Sequence, residues 1–130
     1  MIKEDYVSFE IAKLLKEKGF DIACEYQYIN CSSGHPFLID MRDDAGNYYK
    51  NSEIGNDEYS APTLAMVMKW LRDEKNIFID VYYDCDFGEG YRFSVHKLPK
   101  GTTLETHNEN YSIYETACEA AIKYCLENLI

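Results

Sequence analysis

Thiols and imidazoles are the side chains of this 130-residue chain that could ligate a metal or attack a substrate. They are Cys24, Cys31, Cys85, Cys118, Cys125, His35, His96 and His107. The nearest cysteine pairs, Cys24/Cys31 and Cys118/Cys125, are each seven residues apart. On a helix that spacing is two turns, about 10 Å of rise, too far for both thiols to reach one zinc. Cys118 and Cys125 also fall on an apolar stripe with alanines and read as small core residues. A zinc site from Cys24, Cys31 and His35 is the one metal arrangement left open. For nucleophilic catalysis the pair worth testing is Cys85 with His96, close together only if a hairpin register brings them so. No nucleophile elbow, phosphate loop or Walker lysine is present. Gly88-Glu89-Gly90 reads as a turn, because no helix follows to offer its N-terminus to a phosphate. Asp84, Asp86 and Glu89 lack the spacing of a calcium loop. No catalytic, cofactor-binding or metal residue is assigned, and no cofactor is expected.

Composition narrows the classes further. A hydrophobic fraction of 46% over 130 residues is ample for a core without a disulfide or metal, and the chain reads as one domain, 1–130. The net charge is −10. Asp40, Asp43, Asp44, Glu53, Asp57 and Glu58 crowd residues 40–58 against only Arg42 and Lys50. Such a surface repels phosphate backbones, so direct nucleic-acid binding is not expected, although an acidic surface can mimic nucleic acid toward a basic partner. The opening MIKEDYVSFE has no signal-peptide character, and no apolar run approaches membrane-spanning length. With an odd number of cysteines, the expectation is reduced thiols in a cytoplasm, with no membrane contact.

The elements that must position these residues follow from periodicity. Residues 7–18 predict a helix, with Val7, Ile11, Ala12, Leu14 and Leu15 on one face, stopped at Gly19 with Phe20 folding back. Residues 20–30 alternate like a strand. Residues 31–36 read as a loop, and FLIDMR and NYYKN then flank a turn at Gly46, as in a hairpin. Residues 51–58 predict an exposed connection. Ser60 is placed to cap a second helix, with Pro62 in its first turn, a stripe of Leu64, Val67, Met68 and Leu71, Trp70 buried beside it, and Asn76 at its end.

Residues 77–98 form the clearest hairpin. Ile77, Ile79, Val81, Phe93 and Val95 share one face, and strict alternation turns Phe78, Tyr82, Arg92 and His96 to the other. Residues 99–110 read as a loop. The last helix opens on a Ser112/Glu115 capping box and runs through Ala117, Cys118, Ala121, Ile122, Cys125 and Leu126. The fold class expected is α+β: an antiparallel sheet of four or five strands with three helices mainly on one face, in the order α-β-β(-β)-α-β-β-α.

Three blocks, VSFEIAKLLKEKGFD, YSAPTLAMVMKWLR and YETACEAAIKYCLENLI, taken in this order, resemble small uncharacterised proteins encoded by phages and prophages of gut Bacteroidetes. The Ser-Ala-Pro-Thr run at 60–63 and Lys69-Trp70-Leu71-Arg72 are its most specific parts. Residues 22–58 and 99–110 carry no such resemblance, and no functional residues come with it. It implies a mobile-element protein working in a bacterial cytoplasm.

The function these readings favour is a non-enzymatic accessory or binding protein that engages a protein partner, or itself, through its sheet face or acidic surface. Two aromatic rings beside an arginine and a histidine are a mixture enriched at interfaces, so Phe78, Tyr82, Arg92 and His96 are the candidate surface. The alternatives are a small Cys/His-dependent hydrolase or transferase, and a self-assembling structural component.

Overall fold

A computed structural model describes residues 1–31, 34–86, 88–106 and 109–130. Ser32 and Ser33 of the expected 31–36 loop, Phe87 of the hairpin turn, and His107 and Asn108 of the 99–110 segment lie outside the described residues. Among the described residues the fold is α+β, with three helices and two three-stranded antiparallel sheets. Two sheets stand where one of four or five strands was expected, because two short strands absent from the sequence reading complete them. The order is α-β-β-β-α-β-β-β-α. The chain divides into two compact units, Met1–Thr63 and Leu64–Ile130.

In the first unit, α1 (Phe9–Glu17) begins where the Ser8 hydroxyl accepts from the Ile11 N–H at 3.4 Å. Val7, Ile11, Ala12 and Leu15 are buried. Gly19, at φ +88°, stops the helix in the left-handed region, and buried Phe20 donates its N–H back to Leu15 O at 2.9 Å. Strands β1 (Tyr26–Ile29), β2 (Phe37–Asp40) and β3 (Glu58–Ser60) form a sheet in the order β2-β1-β3. The strand expected over 20–30 is thus confined to its second half, and Cys24 makes an isolated bridge to Tyr49.

The expected turn at Gly46 exists, with φ +80°, but β2 pairs with β1 rather than with residues 47–51. Asp43 explains this. Its carboxylate takes the N–H groups of Ala45 and Asn47 and the Tyr49 hydroxyl, so the chain curls tightly around a side chain and the main-chain pairing stops at Asp43 N–H to Asn47 O.

Residues 51–58 are not a plain connection. Asn51 opens a 3-10 turn (Asn51–Glu53) and is buried; its Oδ1 accepts the Ser60 N–H at 2.9 Å and its Nδ2 donates to Phe20 O at 2.8 Å. Ser60 does not cap the second helix: it is a buried residue of the strand Glu58–Ser60, and the helix starts four residues later.

In the second unit, α2 (Leu64–Lys75) buries Leu64, Val67, Trp70 and Leu71. Asn76, at φ +55°, turns the chain directly into β4 (Ile77–Asp84). β5 (Gly90–Lys97) returns along it with Ile79 opposite Val95 and Val81 opposite Phe93, the register that alternation requires. α2 packs on β4, and α3 (Tyr114–Asn128) on both β4 and β5, over Ile77, Ile79, Phe93 and Val95.

The expected loop at 99–110 contains a third strand, β6 (Thr102–Thr106), paired to β5 across a bulge at Val95/His96. The Ser112/Glu115 box does not form. α3 opens after Ile113 with no side-chain cap, because Tyr111 is held to Tyr91 by two main-chain bonds of 2.7 and 2.8 Å, and the chain enters the helix straight from the sheet. Gly90 permits that approach, since a Cβ there would stand 3.0 Å from Tyr111 O.

Candidate functional site

The two long strands of the second unit project alternate residues away from the helices. The register sets Phe78 opposite His96 and Tyr82 opposite Arg92, with Asp80 and Ser94 between them. All four residues singled out from the sequence therefore share one face of one hairpin. Phe78 is 37% exposed, and its ring centroid lies 6.3 Å from that of His96 at 33°. Tyr82 and His96 are half-buried.

The polar members of this face are not loose. Both ring nitrogens of His96 are held by hydroxyls, Nε2 with Ser94 Oγ at 2.9 Å and Nδ1 with Thr103 Oγ1 at 3.2 Å. Arg92 Nη1 donates to Asp84 Oδ2 at 2.8 Å, with the two side chains only 15% and 10% exposed. The guanidinium charge is thus neutralised in place, and the face offers aromatic and imidazole surface rather than a cation for an anionic ligand. Asp84, Ser94 and Thr103 complete the site. Asp84 was legible as the diagonal neighbour of Arg92 in the hairpin register, and Ser94 as the residue between. Thr103 was not, because it sits on a strand that reads as loop.

The register does not bring Cys85 and His96 together. Cys85 is exposed beyond the end of β4, its Sγ 4.0 Å from Asp86 Oδ1. His96 pairs with Phe78, six residues back along β4 from Asp84 and so about 20 Å from that end. The zinc arrangement fares no better. Cys24 is buried, its Sγ donates to Ile22 O at 3.3 Å, and burial pushes its thiol up to about 12. Cys31 Sγ points to the main-chain oxygen of His35 at 3.7 Å. Among the described residues no group of three His, Cys, Asp or Glu could hold a metal ion. Burial likewise pushes the Cys125 thiol up to about 12.

The acidic residues of 40–58 are largely engaged in local structure. A cavity of about 390 Å³ is lined by Asp43, Glu53 and Glu58, yet each carboxylate already accepts main-chain N–H groups: Asp43 from Ala45 and Asn47, Glu53 from Lys50, Glu58 from Gly55. Asp40 is paired with Arg42, whose hydrogen bonds hold its carboxyl below the usual range. These groups build turns before they build a surface. The chain matches no protein-family model, no curated protein and no solved structure.

Proposed function

We propose that this chain is a non-catalytic accessory protein of a mobile element, which binds another protein through the outer face of the β4–β5 hairpin. The observation that carries this reading is the pairing of Phe78 with His96 and of Tyr82 with Arg92 on a face whose polar groups are already fixed by Ser94, Thr103 and Asp84. A face whose side chains are held before binding loses little entropy when a partner covers it. Aromatic rings beside a neutralised arginine suit a partner that supplies apolar surface at the centre. The net charge of −10 favours a partner with a basic rim, which would steer encounter without deciding affinity. Among the described residues no helix is long and apolar enough to cross a membrane. The setting in a bacterial cytoplasm rests on the resemblance of the three helical blocks and on the five cysteines.

The test is Phe78→Ser combined with Tyr82→Ser, compared with the native chain in affinity capture from the cells that make it. The expected result is a reproducible partner recovered by the native protein and lost by the variant, with the melting transition of the variant retained. No reproducible partner for the native chain would overturn the reading. Loss of the fold in the variant would show that the rings belong to the core.

A further inference from the structure

The outer edges formed by β2, β3 and β6 are not treated alike. On β3 the outward main-chain groups are covered: Ser60 N–H by Asn51 Oδ1, Glu58 O by Lys16 Nζ at 2.8 Å, and Glu58 N–H by Gly55 O at 3.2 Å. The edge strand β6 is mostly polar, with Thr102, Thr103, Glu105 and Thr106 around a single exposed Leu104. β2 has neither protection. Its pairing with β1 uses Phe37, Ile39 and Met41, as the bond from Met41 N–H to Glu25 O fixes, so Leu38 and Asp40 direct their N–H and C=O groups outward. Among the described residues no strand pairs with that edge. It is also apolar: Phe37 is 48% and Leu38 36% exposed.

We infer that β2 is a self-association edge, on which β2 of a second copy pairs antiparallel to join two three-stranded sheets into one of six. The sequence of the edge is self-complementary in one register. Setting Leu38 opposite Asp40 of the second copy makes the outward groups of both strands exchange hydrogen bonds across a two-fold axis at Ile39. That register stacks Phe37 on Met41, Ile39 on Ile39 and Met41 on Phe37, an unbroken apolar ladder on one face. Asp40, the one acid in the strand, is already neutralised by Arg42, so its approach to the second copy is not opposed by a bare charge. The contact is small, and each copy carries a net charge of −10, which places the dimer in the weak class and makes it tighten as salt screens repulsion.

Leu38→Pro is the decisive variant. The Leu38 N–H is not used by the β1–β2 ladder, so proline removes only the outward donor and is tolerated on an edge strand. Sedimentation equilibrium over a concentration series should show a monomer–dimer equilibrium for the native chain, strengthened between about 0.02 M and 0.5 M salt. Leu38→Pro should weaken it by about tenfold or more, through two hydrogen bonds lost per dimer. Phe37→Glu, at an exposed position, should weaken it by breaking the ladder without touching the main chain. Amide exchange at Leu38 and Asp40 should slow as concentration rises, while exchange at Thr102 and Thr103 should not. A native chain monomeric at every concentration overturns the inference. So does a dimer that survives both substitutions, or one whose Leu38 and Asp40 amides exchange independently of concentration.

Discussion

In the second unit the sheet is built on two eight-residue strands that ladder along their whole length, and two helices seal one face of it. In the first unit the strands are three or four residues long, and much of what aligns them is polar side chain on main chain: Asn51 on Ser60 and Phe20, Lys16 on Gly55 and Glu58, Asp43 on Ala45 and Asn47. Two sheets of equal strand number are thus specified by different forces. Long strands with strict alternation are specified by burial, which is non-directional and spread over many residues. Short strands bury too little for that, and depend on a few directional bonds whose partners are far apart in sequence.

The largest effect is expected at Trp70. Its side chain is 6% exposed, with Lys75 Nζ 5.4 Å from its ring centroid. Trp70→Ala should cost about 3–5 kcal/mol in denaturant melts, the usual loss for a large ring in a core. A loss below about 1 kcal/mol would mean that burial is not what holds the second unit. The matching test in the first unit is Asn51→Ala. It strands Phe20 O and Ser60 N–H, two buried main-chain groups, and should cost about 2–4 kcal/mol although it deletes no more than an amide. Asn51→Asp keeps the acceptor for Ser60 and should recover part of that loss. If Asn51→Ala is silent, the polar account of the first unit is wrong.

Acid sharpens the contrast. Asp43 is held below the usual carboxylate range by hydrogen bonds from Asn47, and Asp21 by hydrogen bonds from Ser52. A carboxylate with a depressed folded pKa stabilises the fold above the unfolded value of about 4, and that contribution is lost as pH falls through the lower folded value. The amides of Ala45 and Asn47 should therefore lose exchange protection below about pH 4, ahead of those in β4 and β5. Simultaneous loss in both units would remove the distinction. The smallest effect expected is at the thiols. With Cys24 and Cys125 buried and their thiols pushed up to about 12, and Cys118 buried as well, a neutral-pH thiol reagent should label Cys85 and Cys31 and leave these three untouched until unfolding.

Helix α1, with its Ser8 cap and Gly19 stop, the α2 stripe with Asn76 at its end, the facing of the 77–97 hairpin and the apolar run of α3 were all legible in the sequence. So was the grouping of Phe78, Tyr82, Arg92 and His96 on one face, because a period of two leaves no other arrangement once the apolar set faces inward. Each of these is decided within a few residues, by periodicity, a left-handed turn or a cap. What only the tertiary structure decided lies in residues with no local preference to betray them. Glu58–Ser60 and Thr102–Thr106 are too short and too polar to declare themselves as strands, and exist because β1 and β5 present unpaired edges to them. Ser60 and Ser112 carry good capping side chains, yet neither caps. One lies in β3, four residues before the helix starts, with Asn51 holding its N–H there, and the other is preceded by a residue fastened to Tyr91. A side chain that could serve two local roles is assigned by whichever long-range partner reaches it, and that partner is set by the folded chain.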